Sequence, residues 1–180
     1  IITLGFSVYG NSLKNQFVWD DDVLIKENSY IKNWAHIPQV FSEDTGMGSK
    51  KTYHSYRPLQ LITYMVDYSL WKMNVKGYHL TNIILHILVA SCVYYFILVL
   101  FKDNIFSTLT ACLFVVHPIH TEVVTYISGR ADSLAALFML LTLIFYIKSL
   151  SSRRISAYLL MVGSYTLALL SRESSLILPA

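Results

Sequence analysis

Charge is scarce in this chain of 180 residues. Asp, Glu, Lys and Arg together make up 14% of the sequence, whereas apolar residues make up 54%. A typical soluble domain contains about 25% charged and about 45–50% apolar residues. The deficit excludes an ordinary soluble domain and a disordered chain, and it indicates a bilayer as the surroundings. The net charge of +3 comes without a long basic tract, so no nucleic-acid partner is expected.

Cysteine is also scarce. The two cysteines, Cys92 and Cys112, both lie inside apolar runs. A disulfide scaffold is therefore excluded, and we interpret both residues as small buried apolar side chains.

Long uncharged runs are abundant. The longest covers residues 77–101, and three shorter runs follow it after short connectors. A helix needs about 20 mostly apolar residues to cross a bilayer. Each shorter run alone could be a buried helix of a soluble protein, but four runs in succession favour a membrane domain. The predicted fold is all-α, a polytopic transmembrane helix bundle with spans at 80–101, 105–116, 131–147 and 155–171.

The remaining segments are assigned relative to these spans. Residues 1–13 are too short for a complete span and are interpreted as a partial one, with a signal peptide as the weaker alternative. Residues 14–78 are predicted to form an external loop domain. Within it, residues 58–73 favour a helix at the membrane interface, the alternative being a soluble core helix. Residues 174–180 look like the start of another span, so we expect a fragment of a larger membrane protein.

A short basic loop sets the orientation. Lys148, Arg153 and Arg154 lie together without an acid, and such loops stay in the cytoplasm. By alternation, the loop domain and the opposite ends of the spans lie outside. Ionisable groups near a membrane are costly and are usually retained for function. The polar clusters that fall on this outer face are residues 20–22, 54–58, 117–122, 128–132 and 171–173.

The acids and histidines in these clusters each allow two interpretations. Three adjacent carboxylates favour a general base or a metal site, the alternative being a solvated turn. These carboxylates belong to Asp20, Asp21 and Asp22. His117 and His120 flank Pro118, with Glu122 two residues further on. This spacing can ligate a metal ion, but the proline makes it a helix end, and polar helix ends are common.

The arginines on the outer face also allow two interpretations each. Arg130 can clamp a phosphate, whereas Asp132, two residues later, can cap a helix. Arg172 and Glu173 form either a snorkelling pair at a helix end or a ligand site. Hydrogen bonds between helices are expected for two members of a polar stripe along the longest span. This stripe consists of His79, Asn82 and His86, and the expectation concerns Asn82 and His86.

A series of short motifs makes the sequence similar to a known family. The motifs are Phe-Val-Trp-Asp-Asp at 17–21, Tyr-Arg-Pro-Leu at 56–59, Gly-Tyr-His-Leu-Thr-Asn at 77–82, Leu-His at 85–86, His-Pro-Ile-His-Thr-Glu at 117–122, Gly-Arg-Ala-Asp at 129–132 and Leu-Ser-Arg-Glu at 170–173. Together they resemble the amino-terminal membrane region of the transmembrane O-mannosyltransferases that carry tetratricopeptide repeats, and their bacterial multi-span relatives. This family resembles the wider C-type glycosyltransferase superfamily. The chain departs from it in two places: Arg172 stands where the family more often has Lys, and Asp22 adds a third acid.

The resemblance implies a glycosyltransferase reaction. A hexose such as mannose would move from a polyprenyl- or dolichyl-phosphate donor to a hydroxyl of a protein or glycan acceptor at the external or lumenal membrane face. Asp21, or Asp20 as second choice, would act as general base. The donor phosphate would be bound by Arg130, Arg172 and Arg57. The residues expected to support the site are Asp22, His117, His120, Glu122, Asp132, Glu173 and His79.

The resemblance leaves the cofactor and the compartment open. No cofactor is certain, no residue is assigned as a metal ligand, and a divalent metal ion is left as an option. The expected location is an integral membrane position, with the bacterial inner membrane preferred and the endoplasmic reticulum membrane as the eukaryotic alternative. Two other functions stay open: a non-catalytic interaction or assembly protein, and a metal-dependent membrane hydrolase. A transporter is disfavoured because the charges lie at helix ends.

The orientation can be tested with cysteines introduced at Ser49 and Ser152. Ser49 lies in the loop domain assigned to the outside, and Ser152 lies in the basic loop assigned to the cytoplasm. A membrane-impermeant thiol reagent on intact cells is therefore expected to label the cysteine at 49 alone. Labelling at 152 but not at 49 would reverse the orientation.

Overall fold

The structure, a computed structural model, describes residues 1–152 and 154–178. Within these ranges the chain is helical and contains no strand, which confirms the all-α prediction. The α-helices are α1 (Ile2–Tyr9), α2 (Ile37–Ser42), α3 (Pro58–Trp71), α4 (Val75–Phe101), α5 (Asn104–Val116), α6 (Thr121–Thr125), α7 (Arg130–Ser152) and α8 (Ile155–Ser171). Arg153, used above for the orientation, and residues 179–180, the end of the expected further span, lie outside the described residues.

Local sequence signals explain the helix boundaries. The side chain of Asn74 accepts a hydrogen bond from the Lys76 N–H at the start of α4, and that helix ends where Lys102 adopts a left-handed conformation with φ of 55°. The side chain of Asp103 caps α5 by accepting a hydrogen bond from the Phe106 N–H at 3.0 Å. Such side-chain acceptors satisfy N–H groups that have no partner within their own helix.

The described residues contain two helical segments that are long and apolar enough to cross a membrane. They are α4 and the segment of residues 127–150, which includes most of α7. Helix α5 and the following segment of residues 118–125 would make a third span, bent by 49°. Helix α8 is apolar but has only 17 residues. The apolar helices fit an integral membrane protein, and the assignment of four spans stays a prediction.

The outer surface of these helices is apolar. A soluble monomer rarely exposes contiguous apolar patches of more than a few hundred Å², so this surface needs a lipid or protein covering. Its exposed side chains include Ile84, Leu88, Leu100, Ile105, Leu109, Leu113, Leu159 and Leu160.

The loop domain is packed onto one end of the bundle. We call this end, where α4 and α7 begin and α5 and α8 end, the loop end. Helix α3 packs against α4, α7 and α8 there. A shared apolar core joins the loop domain to the bundle, and it includes Leu24, Ile25, Ile31, Val40, Leu61, Tyr64, Met65, Tyr78 and Ile127.

A buried arginine holds α3, α4 and α7 together. The side chain of Arg130 is fully buried, and its Nη1 lies 2.6 Å from Oδ2 of Asp67 on α3. Its Nε donates to Oδ1 of Asn82 at 2.8 Å, and its Nη2 donates to the carbonyl oxygen of Tyr78 at 3.0 Å, both on α4. The guanidinium carbon lies 4.8 Å from the ring centre of Tyr64, a cation–π contact. The buried guanidinium of Arg130 therefore contacts a carboxylate, two further oxygen acceptors and an aromatic ring within the protein.

Helix α3 turns its polar stripe inward. Gln60 donates to the carbonyl oxygen of Ser128 at 2.9 Å, and Thr63 and Asp67 both contact Arg130. The apolar side chains of Val66 and Leu70 are exposed instead. The polar residues of α3 thus contact other parts of the protein and not water.

We expect Asp67→Asn to destabilise the fold strongly. Removing one partner of a buried ion pair leaves an uncompensated charge, which typically costs about 3–5 kcal/mol. The double variant Arg130→Met/Asp67→Leu should recover part of this loss, because both buried charges are then gone. Thermal unfolding in detergent measures the effect. Lys26→Ala serves as the control, since the Lys26–Asp22 pair is about half exposed and such pairs contribute about 0–1 kcal/mol. An Asp67→Asn protein as stable as wild type would contradict the central role of this pair.

Candidate active site

A cavity of about 220 Å³ lies at the loop end of the bundle. Charged side chains from separate parts of the chain line it, namely Asp20, Arg57, Glu122, Asp132 and Arg172. The polar groups between them are those of Thr45, Tyr53, Ser55, Tyr126 and Ser128. Five of the residues singled out in the sequence are thus brought together around one space.

Two adjacent acids take different positions. Asp20 lines the cavity, whereas Asp21 is fully buried beneath it. One oxygen of Asp21 accepts hydrogen bonds from the backbone N–H of Ser128 at 2.9 Å and from its hydroxyl at 2.6 Å. The other oxygen accepts from the N–H of Val18 at 3.1 Å. Asp21 therefore ties the acidic turn to the segment that precedes α7.

Burial sets the protonation behaviour of Asp21. It raises the pKa of that carboxyl, although the hydrogen bonds from Ser128 and Val18 act in the opposite direction. A raised pKa suits a base, but this carboxylate does not line the cavity. The geometry favours Asp20 over Asp21, our first choice from the sequence, as the group that meets a substrate.

Two tyrosines hold the carboxylate of Asp20. The Tyr53 hydroxyl donates to Oδ1 at 3.1 Å, and the Tyr126 hydroxyl donates to Oδ2 at 2.9 Å. Burial and the nearby Asp20 charge raise the pKa of Tyr53 to about 12, and the same two causes raise the pKa of Tyr126. Both hydroxyls therefore remain protonated donors at neutral pH. Neither tyrosine was expected from the sequence, because neither belongs to a charged cluster or a recognisable spacing.

The two cavity arginines are each paired with an acid. Arg172 forms an ion pair with Asp132, and Nε of Arg57 lies 3.2 Å from Oε2 of Glu173. Burial and the neighbouring Arg57 cation lower the pKa of Arg172. Burial alone would raise the pKa of Glu173, but N–H donors and Arg57 lower it. Two arginines close enough to affect each other complement an anion with more than one oxygen.

Several candidates from the sequence lie away from the cavity. Arg130 is buried against Asp67, so the geometry favours a structural role over phosphate binding. Asp22 pairs with Lys26 at 2.6 Å on the surface. His79 is buried within α4 and does not line the cavity.

The histidines form an aromatic stack at the bend between α5 and α6. The ring centre of His120 lies 4.2 Å from that of Phe114 and 5.3 Å from that of His86. Nε2 of His86 lies 3.3 Å from the carbonyl oxygen of Val115 on α5, an interhelical contact of the kind expected from the sequence. His117 is exposed, and its ring centre lies 6.1 Å from that of His120. Among residues 1–152 and 154–178, no three His, Cys, Asp or Glu side chains are grouped to hold a metal ion.

Comparison with known proteins identifies the relatives of this chain. It is 36% identical over 152 residues to "Protein O-mannosyl-transferase TMTC3" of Homo sapiens, a match that covers 83% of the chain and 16% of that protein. It is 36% identical over 157 residues to human TMTC2, covering 86% and 19%, and 41% identical over 147 residues to human TMTC1, covering 79% and 17%. The chain is homologous to a segment of the TMTC proteins. No protein-family model and no solved structure matches it.

These matches confirm the resemblance inferred from the motifs. The chain spans about a sixth to a fifth of the length of these TMTC relatives. Other matches are to proteins of Caenorhabditis elegans and Xenopus laevis. The preference for a bacterial membrane is therefore not supported, and the likeness to bacterial multi-span proteins stays untested.

One wall of the cavity in this TMTC homologue is a loop organised by Asp44. Its Oδ1 accepts hydrogen bonds from the N–H groups of Gly46 and Tyr53, and its Oδ2 accepts from that of Ser55, each at 2.9 Å. Burial alone would raise the pKa of Asp44, but these N–H donors lower it below its usual value. The loop that carries Tyr53 and Ser55 thus depends on an ionised Asp44.

We expect Asp44→Asn to loosen this loop. Because the pKa of Asp44 is lower in the folded state, its stabilising effect is present above the usual value of about 3.9 and is lost as the pH falls below it. Protection factors, which correct for the intrinsic effect of pH on exchange, should therefore fall in acid for residues 44–55 of the wild-type protein but not of Asp44→Asn. The variant should instead exchange faster already at pH 7. Asp22→Asn, which removes an exposed ion pair, is the control, and identical exchange in all three proteins would contradict the role of Asp44.

Proposed function

We propose that this chain forms part of the catalytic region of a protein O-mannosyltransferase that uses mannose linked to dolichyl or polyprenyl phosphate. The observation that carries the proposal is the cavity in which a carboxylate, Asp20, faces two arginines, Arg57 and Arg172. The relatives are named protein O-mannosyl-transferases, which supports a protein hydroxyl as the acceptor. A glycan acceptor is the alternative.

The surroundings of the cavity favour a lipid-linked donor. Such a donor combines a long apolar chain with a phosphate next to the sugar. The exposed apolar surface of the helices suits the lipid chain, and the two arginines suit the phosphate. A nucleotide-linked donor would call for a glycine-rich phosphate-binding loop, and no such sequence motif is found in the chain.

The chemistry follows from the positions of the three groups. The Asp20 carboxylate takes the proton of the acceptor hydroxyl while the hydroxyl oxygen attacks the anomeric carbon of the sugar. A new glycosidic C–O bond forms, and the C–O bond to the donor phosphate breaks. The departing lipid phosphate carries the negative charge, which Arg172 and Arg57 stabilise.

Both cavity arginines are paired with acids. Asp132 pairs with Arg172, and Glu173 pairs with Arg57. A donor phosphate takes over these contacts, so its binding replaces two carboxylate partners by the oxygens of one phosphate. This arrangement keeps both guanidinium groups oriented before the donor arrives, which reduces the ordering cost of binding.

We place the reaction at the external or lumenal face, in the endoplasmic reticulum membrane. The eukaryotic relatives support that compartment, and the basic loop after α7 supports a cytoplasmic position for the opposite end of the bundle. A divalent metal ion remains an option that no step above requires.

The roles of Asp20 and Arg172 predict different kinetic defects. Asp20→Asn keeps the size of the side chain but cannot take a proton, so transfer should fall by about 10²–10⁴-fold with donor binding retained. Arg172→Gln should weaken donor binding by roughly 10- to 100-fold, because a hydrogen bond to a charged group is worth about 1.5–3 kcal/mol.

The measurement uses the full-length protein in membranes, with dolichyl-phosphate mannose and a Ser/Thr peptide. Transfer and donor binding are assayed separately. Glu27→Gln, which changes an exposed acid of the same loop domain, is the control. Full transfer activity in Asp20→Asn would exclude Asp20 as the base, whereas no transfer by the wild-type protein would favour the non-catalytic interaction protein.

A further inference from the structure

We propose that Tyr126 and Tyr53 are positioning residues that hold the Asp20 carboxylate at the cavity wall in its reactive orientation. The inference rests on the proposed function, because it takes Asp20 as the base. It concerns two residues that carry no charge and that none of the sequence motifs includes.

The two tyrosine hydroxyls donate hydrogen bonds to different oxygens of the Asp20 carboxylate. Tyr126 donates to Oδ2 at 2.9 Å and Tyr53 donates to Oδ1 at 3.1 Å. Tyr53 belongs to the loop organised by Asp44, whereas Tyr126 lies between α6 and α7. The carboxylate is therefore fixed where two separate segments of the chain meet, and both rotation and withdrawal of its side chain would break a hydrogen bond.

These two hydrogen bonds leave the Asp20 carboxylate able to accept a proton. An ionised carboxylate oxygen has two lone-pair sites, and each tyrosine occupies one site on one oxygen. One site on each oxygen is thus not used by the tyrosines, and Asp20, Tyr53 and Tyr126 all line the cavity.

The backbone before the base supports the same arrangement. Trp19 adopts a left-handed conformation with φ of 52°, which non-glycine residues rarely adopt. Its ring packs edge-on against the ring of Tyr126, with centres 5.6 Å apart. The residue that precedes Asp20 therefore braces the ring whose hydroxyl holds Asp20. Strained backbone of this kind persists only where surrounding contacts enforce it, and it clusters at active sites.

The segment that carries Tyr126 is itself anchored. The Asn82 side-chain amide lies 3.1 Å from the carbonyl oxygen of Tyr126, to which it donates. Two residues further along the chain, the N–H and the hydroxyl of Ser128 donate to the carboxylate of Asp21. The Tyr126 hydroxyl is thus presented by a backbone held from two sides, as a positioning role requires.

The test compares Tyr126→Phe and Tyr53→Phe in the full-length protein. Each change removes one hydroxyl and keeps the ring. Misplacement of a catalytic group by about 1 Å can cost about 100-fold in rate, so we expect each variant to lose roughly 10-fold in kcat. The KM for dolichyl-phosphate mannose should stay unchanged, because Arg57 and Arg172 are intact.

A matched control is available in the same loop domain. The Tyr30 hydroxyl donates to the Glu43 carboxylate at 2.7 Å, outside the cavity. Tyr30→Phe breaks the same kind of hydrogen bond, and its kcat and KM should match those of the wild type. Thermal unfolding of all three variants separates a loss of fold from a loss of positioning.

Combination with Asp20→Asn distinguishes the possible failures. If the tyrosines act through Asp20, Tyr126→Phe should cause no additional loss in the Asp20→Asn background. An additional loss of the full 10-fold, or wild-type kcat in both tyrosine variants, would overturn the positioning role while leaving Asp20 as the base. Full transfer by Asp20→Asn itself would exclude Asp20 as the base and overturn this inference, whereas no transfer by the wild-type protein would overturn the proposed function.

Discussion

The buried ion pair between Arg130 and Asp67 is the interaction on which the rest of the structure depends. Moving a charge out of water costs several kcal/mol, and an arginine in this position is tolerated only with a full set of acceptors. The acceptors come from α3 and α4, while Arg130 begins α7. Satisfying one guanidinium therefore fixes the loop domain relative to the helices that we assign to the membrane.

That constraint reaches the cavity through the segment that precedes Arg130. Ser128 and Gly129 line the cavity, and they are placed when Arg130 is placed. A Cβ added at Gly129 would lie within 3.0 Å of the Val123 backbone, so only glycine lets these two segments approach so closely. Asp21 then binds Ser128 and brings the acidic turn to the same place. The reactive groups are thus positioned by buried polar contacts and not by the loop alone.

The sequence predicted the helices and the convergence better than the roles of individual residues. Uncharged runs determine where helices can cross a membrane, and alternation then brings Asp20, Arg57 and Arg172 to one end. Which way a side chain faces depends on backbone angles and neighbours that no local pattern encodes. Asp20 lines the cavity whereas Asp21 is buried, and the ion pair with Asp67 holds Arg130 away from the cavity. Tyr53 and Tyr126 are separated from Asp20 by 33 and 106 residues, so only the fold could reveal them.

The motifs therefore combine residues with two different duties. Arg130 and Asp132 are two positions apart, which on a helix of 3.6 residues per turn places them on nearly opposite sides. Arg130 faces the interior and Asp132 faces the cavity, where it pairs with Arg172. Asp21 and Asp20 divide in the same way, one buried and one lining the cavity. A substitution at any one of these residues can abolish activity. The buried residue of each pair positions the segment that carries the cavity-lining residue, so loss of activity identifies a reacting group only when folding is intact. Separate measurements of folding and of transfer distinguish a structural role from a catalytic one. The burial of Arg130 and Asp21 indicates that both have structural roles.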